Sequence, residues 1–555
     1  MKPSDQLLRD VTKEYLISLD KNNLPPIDQI VETLVTQTST AYAIYNSSVD
    51  KSMKLKVPTK LLPQQIADLM RIVYDVRIVN RVDGTDDPKT QSLMIYVADG
   101  SNAGIYTDDE HVFYTAMKTL CSTLTKQERE QVYYELRYGN TEHASVCTDR
   151  DLIAVNNGIY DYAVKQLIPF SPDYVFISKS RVDYNPNAAN VIIHNSEDNT
   201  DWDVEGWMQS LSDDPEVINL LWEILGAVIR SNVRWNKSAW LYSETGNNGK
   251  GTFCSLARNL CGKGSCVSIP VADMGNKYIM SALLSAQAII TDENPVGTYV
   301  DRSDAMKAVI TGDPINTDRK YKDPITFTFH GFMIQCLNEM PKIRDRSDSI
   351  YRRQLFVPME KCFTGHERTY IKDDYLCRKE VLEYVLKRVL ESNYYTLSCP
   401  PVCVAAMEEY KEYNDPVKQF MAEHHDQFAW DFLPFAFLYD LYIAWFRKNV
   451  PSGSPVGSNT FRRNIESIIS EYPEWQPCGK NPSGGYDRVS PKEMLDRPEY
   501  LLLEYDLKNW MQPNAGSMRP DVACIPPKKD QYRGGLIRVT VFEKITQAGI
   551  SNECD

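Results

Sequence analysis

The run WLYSETGNNGKGTFCSLARNL, from Trp240 to Leu260, leads an apolar strand through a glycine-rich loop into an amphipathic helix. Glycines let a backbone curl until its N–H groups converge on phosphate oxygens, and a lysine opening the helix adds a point charge. Gly246, Asn247, Asn248, Gly249, Lys250, Gly251, Thr252 and Phe253 are therefore the expected nucleotide-binding residues, with Lys250 reaching the β- and γ-phosphates. The strict pattern G-x-x-x-x-G-K-[ST] is not met, because Glu244 stands at the first glycine and Gly251 follows Lys250. A hydroxyl for Mg²⁺ must then come from Thr252 or be absent. By itself such a run could also be a plain turn between strand and helix.

Three further groups suit the same chemistry. AIITDE ends an apolar strand in two acids, and Asp292 lies 42 residues after Lys250. Asp292 can hold Mg²⁺ and Glu293 can polarise the attacking water. FMIQCLNEMP places Asn338 at the end of another strand, 46 residues after Asp292, where an amide can sense a γ-phosphate. In KIRDRSDSIYRRQLFVPM, Arg352 and Arg353 precede a strand and could act on a neighbouring subunit's nucleotide, stabilising charge on the transferring phosphoryl group. The same arginines would equally suit a solvated basic face.

These residues need a frame. Between 237 and 360 strands at 238–242, 288–291, 325–329, 332–338 and 354–359 alternate with helical segments, predicting a parallel, helix-flanked sheet. Val217, Leu220, Leu221, Ile224, Leu225 and Val228 recur at helical spacing behind an Asp213-Asp214-Pro215 start. Asn157-Gly158 predicts a hairpin within 151–176. The expected domains are a mixed α+β region at 1–145, a strand-rich then helical segment at 146–235, the ATPase core at 236–365, a helical lid at 366–414 and a winged-helix-like module at 415–555.

Composition fits an ordinary soluble protein: 555 residues, 43% hydrophobic and 25% charged. No run approaches ~18 uninterrupted apolar residues, and MKPSDQLLRD has no apolar signal segment, so neither membrane span nor secretion is expected. The 13 cysteines lack zinc-ligand spacing and suit a reducing cytoplasm, bacterial or that of a host cell. A net charge of −14 argues against a polybasic DNA binder but admits a ring with a basic channel.

The order GNNGKGT, AIITDEN, ITGDPINTDRKYKDPITF, IQCLNEMP and SIYRRQLFVPM resembles the superfamily III helicases. More closely, it looks like the helicase part of the phage and plasmid primase–helicase family, which includes the poxvirus primase–helicase. LIAVNNGIYDY and RVDYNPNA are similar to the segment preceding the ATPase in that family. Gly after the loop lysine is tolerated there. In size and type the chain also looks like the replication initiators of staphylococcal pathogenicity islands and resistance cassettes.

The resemblance implies an AAA+ P-loop core, dependence on ATP and Mg²⁺, and a homo-hexameric ring that unwinds duplex DNA by tracking along one strand. Single-stranded, forked and origin DNA become expected partners, together with a loading or host replisome protein. It also implies a basic hairpin between the acidic pair and the sensor asparagine, here Ile315 to Pro324, with Arg319, Lys320, Tyr321 and Lys322 near its tip. In IPPKKDQYRGGLIRVTVFEK, Lys528, Lys529 and Arg533 bracket a Gly-Gly turn and fit a wing laid along phosphates, or an ordinary basic surface hairpin. Phe461, Arg462 and Arg463 mark a possible recognition helix. Two rival functions stand beside this reading. One is a bifunctional primase–helicase, disfavoured because Asp86-Asp87 and Asp108-Asp109 read as solvated turn residues. The other is a DNA-independent ATPase switch.

Overall fold

The computed structural model describes residues 3–541 except 22, 321, 452, 479–496 and 527–533. It is a mixed α/β chain of two compact units. The first holds residues 1–295, 304–339 and 352–404, and the second holds 296–303, 340–351 and 405–555. No described helix is long and apolar enough to cross a membrane.

The first unit begins with helices Pro3–Ser18, Ile27–Ser48 and Pro63–Val73, which pack with Glu110–Leu120 and Lys126–Tyr138 around a core that includes Leu34, Ile66, Phe113 and Leu136. A four-stranded sheet joins them, with Arg77–Asn80 antiparallel to Gln91–Tyr96 and parallel to His143–Ser145. The next hairpin turns on Asn156-Asn157, one residue before the expected Asn157-Gly158, since Val155 pairs with Gly158. The asparagine side chains decide this. Asn156 Nδ2 donates to Asp183 at 2.7 Å, and Asn157 exchanges bonds of 3.0 and 2.9 Å with the backbone of Tyr184.

Helix α1 (Pro215–Ile229) starts where the sequence places it: Asp214 accepts from Glu216 N at 2.8 Å and Pro215 fixes the first turn. Its Leu220, Leu221, Ile224 and Leu225 are fully buried, each contributing roughly 1.5–3 kcal/mol. The sheet beside it holds β1 (Ser238–Tyr242), β2 (Cys266–Val267), β3 (Ala288–Thr291), β6 (Phe332–Leu337) and β7 (Gln354–Pro358), in the order β2-β3-β6-β1-β7 with every pairing parallel. Helix α2 (Lys250–Cys261) follows β1 and sinks Phe253, Leu256, Ala257 and Leu260 into the same core. Strands buried on both faces read as continuous apolar runs, so four of the five were legible.

The expected strand 325–329 is not part of this sheet. It lies in β5 (Lys322–Thr328), which pairs antiparallel with β4 (Pro314–Arg319) as a separate hairpin. The reason is alternation: Ile315, Thr317, Ile325 and Phe327 are buried while Pro314, Asn316 and Lys322 are exposed, a pattern that suits a one-faced antiparallel ribbon. The fifth parallel strand is the two-residue β2. After β7 come the short helix α3 (Thr369–Asp373) and α4 (Lys379–Glu391).

The second unit contains α5 (Pro416–His424), β8 (Phe432–Pro434), α6 (Phe435–Asn449), α7 (Ser458–Ile468), β9 (Trp475–Cys478) and β10 (Gly535–Arg538). Its sheet is antiparallel in the order β8-β10-β9. Aromatic contacts fill the core, among them Tyr442 stacked on Phe461 at 4.8 Å and Phe420 edge-on to Tyr442 at 5.8 Å.

Candidate nucleotide site

All strands of the main sheet run parallel, so their carboxyl ends form one edge. Thr291 pairs with Gln335, and Leu337 with Tyr242. The loop after β1, the acids after β3 and Asn338 after β6 therefore emerge along that edge, where ligands of open α/β sheets bind.

The loop is held in an unusual backbone. Asn247 and Gly249 have φ of 56° and 83°, in the left-handed region that glycine and asparagine tolerate best. A Cβ at Gly249 would come within 2.8 Å of Leu211 Cδ2. A strap at 361–367 fastens the loop: Phe363 N donates to Asn247 O at 2.8 Å, Asn247 Nδ2 to Glu367 at 2.9 Å, and Asn248 Nδ2 to Lys361 O at 2.9 Å. Gly246 stands open to solvent.

Lys250 opens α2 and is buried, 8% exposed. Its Nζ donates to Ser243 O at 3.3 Å and Asn248 Oδ1 at 3.1 Å, both uncharged acceptors. Burial lowers its pKa from the ordinary lysine value. A desolvated ammonium beside the free N–H groups of a helix start is suited to an anion. Phe253, expected among the nucleotide contacts, is instead fully buried in the core, and its N–H is used by Gly249 O at 2.9 Å. The amphipathic turn that leaves Thr252 half-buried points Phe253 inward.

Asp292 is gripped from α2. Arg258 Nη1 lies 2.7 Å from Asp292 Oδ2, and its Nη2 donates to Ile290 O at 3.0 Å. Asp292 Oδ1 is buried with no hydrogen-bond partner among the described residues. An orphaned carboxylate oxygen of this kind fits a divalent cation. Cys254 and Cys336 lie close by: their sulfurs are 3.3 Å apart and, with an Asp292 oxygen, all fall within 4.8 Å of one another. The hydrogen bond to Cys336, with burial, pushes the Cys254 thiol well above its usual range. Glu293 and Asn338 are both exposed.

Two residues here were not anticipated. Arg258 sits two turns along α2, where its helical position gave no hint of a partner 34 residues away. Asn294 donates to Gln335 Oε1 and Cys336 O, each at 3.0 Å, and accepts from Val271 N at 2.9 Å, tying the acid turn to β6. Its only sequence signal was its place directly after the acids.

Arg352 is exposed and Arg353 half-buried, and Arg353 O accepts from Ser238 N at 2.8 Å. Ser238 begins β1, so both arginines lie at the amino edge of the sheet, opposite the phosphate loop. The basic hairpin is also engaged. Arg319 donates to Asp323 O and lies 3.7 Å from Asp108, and Lys322 lies 3.2 Å from Glu110. Lys320 is exposed in the turn. Asp108 also faces Arg81 at 3.6 Å, while Asp109 and Asp87 cap helical turns through His111 N and Lys89 N. Asp108 is thus an ion-pair partner rather than a solvated turn residue. Tyr321, Lys528, Lys529 and Arg533 lie outside the described residues.

Residues 80–213 match a family described as D5 N terminal like, and residues 412–496 one described as poxvirus D5 protein-like. Both segments are thus similar to D5-type proteins. Between them, residues 241–353 match a family of unknown function, DUF5906, which spans the phosphate loop and both acids. Similar solved structures include the A-form apo C-terminal region of NrS-1, at 14% identity and a TM-score of 0.38 over 75% of this chain and 88% of that one. A second structure of that region, residues 305–718, matches at 12% identity and 0.39 over 86% and 100%. JCV helicase, bound to a thiazolopyridine-phenoxyphenyl acetamide, matches at 15% identity and 0.19 over 48% and 63%. No curated protein matches.

Proposed function

We propose that this chain is the ATP-hydrolysing motor of a replicative DNA helicase. The observation that carries the reading is the buried Lys250, with neutral partners only, on the same sheet edge as Asp292, Glu293 and Asn338. Gly246 to Thr252 would cradle the phosphates. Asp292 Oδ1, with Thr252 as the nearest hydroxyl in sequence, would hold Mg²⁺, which when bound offsets phosphate charge. Glu293 would polarise the attacking water and Asn338 would orient it.

The insertion of β6 between β1 and β3 supports an AAA+ core. Arg352 and Arg353 lie some five strand residues from their own loop, roughly 16 Å, which favours action on a neighbouring subunit and hence a homo-hexameric ring. The order α5-β8-α6-α7-β9-β10, with β10 central, supports a winged-helix-like C-terminal module. Arg462 and Arg463 are exposed on α7, so that helix and the hairpin cations Arg319, Lys320 and Lys322 are the described candidates for single-stranded, forked or origin DNA. The twelve described cysteines are free thiols, in keeping with a cytoplasmic setting.

The deciding experiment is ATP hydrolysis with and without single-stranded DNA, comparing the wild type with Glu293→Gln. Stimulation by DNA, and a variant that binds ATP but turns over about 10²–10⁴-fold more slowly, are expected. Hydrolysis indifferent to DNA would point to an ATPase switch. Primer synthesis on a template would point to the bifunctional reading, for which Asp87, Asp108 and Asp109 offer only caps and ion pairs.

A further inference from the structure

The phosphate loop borders a cavity of about 870 Å³, within the range that holds small ligands. Asn247, Gly249 and Thr252 form its loop wall, and Trp202, Trp207 and Phe363 bring aromatic surface to it. The apolar wall and the loop belong to segments far apart in sequence, joined by the strap bonds at Asn247 and Asn248.

A second observation concerns the position after Lys250. The consensus hydroxyl is missing because Gly251 stands there, and a Cβ built on Gly251 would lie 3.7 Å from Lys372 Nζ. Lys372 comes from α3 and also lines the cavity. Its neighbour Arg368 is 3.8 Å from Asp198, whereas the Lys372 ammonium has no hydrogen-bond or ion-pair partner among the described residues. An uncommitted ammonium thus stands against the bare first turn of α2, beside a cavity sized for a base and sugar.

We propose that this cavity receives the nucleoside of the bound nucleoside triphosphate and that Lys372 is a second phosphate-binding lysine, supplied from α3 rather than from the loop. The inference rests on the nucleotide reading of the loop and adds the subsite and the residue. Thr252, two residues past Lys250, faces this cavity and marks where the phosphate chain leaves the loop toward the sugar. The base would lie against Phe363, since an aromatic face stacks well on a purine or pyrimidine face. The polyphosphate would then pass between Lys250 and Lys372, and the glycine leaves room for the second ammonium.

The test is titration of the full-length chain with a fluorescent ATP analogue and Mg²⁺, for wild type, Lys250→Ala, Lys372→Ala, Lys372→Arg and Phe363→Ala. Loss of one charged contact should raise Kd about tenfold in Lys372→Ala, with Lys372→Arg recovering most of it. Phe363→Ala should raise Kd for the analogue by a similar factor while inorganic triphosphate still competes as well as on the wild type. Lys372 is exposed, so an unchanged thermal unfolding midpoint will show that its variants fold. Unchanged affinity in both Lys372→Ala and Phe363→Ala, with Lys250→Ala impaired, would overturn this inference and leave the loop assignment standing. Wild-type affinity in Lys250→Ala would overturn the loop assignment itself.

Discussion

Arg258 holds Asp292 by one oxygen and leaves the other bare: Nη1 sits 2.7 Å from Oδ2, while Oδ1 is buried without a partner. The guanidinium fixes the carboxylate's rotation, so the unpaired oxygen faces one direction only. Residues that orient a metal ligand in this way typically cost 10–100-fold in affinity or activity when removed. Arg258→Met should therefore lower hydrolysis by about that factor and raise the Mg²⁺ concentration needed for half-maximal rate. A Mg²⁺ titration of steady-state ATPase checks this, and an unaltered requirement would show that the pair serves packing alone.

Burial lowers the pKa of Lys250, so its charge is lost at a lower pH than that of an ordinary lysine. The protonated form binds phosphate. As pH rises through the depressed value, the free protein gives up that proton and nucleotide affinity falls. Affinity for ATP should accordingly decline on the alkaline side of neutrality, and Lys250→Arg, whose guanidinium stays charged, should flatten the decline even if its absolute affinity is lower. Binding titrations between neutral and alkaline pH supply the measurement. Parallel slopes for the two proteins would assign the dependence to another group.

The arginines at the amino edge of the sheet predict complementation. A chain with Arg352→Ala and Arg353→Ala keeps its own phosphate loop, and a Lys250→Ala chain keeps its arginines. Each alone should be nearly inactive, since a trans arginine is worth 10³–10⁵ in rate. Mixed, they should recover part of the activity at interfaces that combine the intact halves. No recovery at any ratio, with a monomeric native mass under ATP, would remove the ring.

Asp108 and Glu110 occupy the hairpin cations Arg319 and Lys322 at 3.7 and 3.2 Å. These pairs are partly exposed, so each is worth at most about 1 kcal/mol, and DNA phosphates can displace them. Asp108→Asn with Glu110→Gln, which removes both pairs, should tighten single-stranded DNA binding by up to about thirtyfold. Lys320→Ala with Lys322→Ala should weaken it and reduce its salt dependence, because fewer phosphate contacts release fewer counterions. Fluorescence anisotropy across a salt series measures both. A hairpin that is only a surface loop would leave every slope unchanged.

The sequence was most informative where burial is two-sided. The runs at β1, β3, β6 and β7 are short, apolar and punctuated, and the chemistry-bearing residues follow them directly. It misled where apolar residues alternate, at 325–329, because alternation marks a ribbon with one wet face. The side chain of Phe253 turns inward because the apolar face of α2 begins there, one residue past Thr252. Arg258, Asn294 and Lys372 were invisible for a different reason. Arg258 and Asn294 meet partners 34 and 41 residues away and Lys372 stands beside Gly251, some 120 residues away, and no local periodicity encodes such a meeting.

Asn294 has one more effect. By clasping Gln335 and Cys336 it locks the turn that bears the acids to the strand that ends directly before Asn338. The acid turn and Asn338 therefore cannot drift apart on their own. Their energetic contributions will be entangled, so a double-mutant cycle between Glu293 and Asn338 should show strong non-additivity that fades once Asn294 is truncated to Ala.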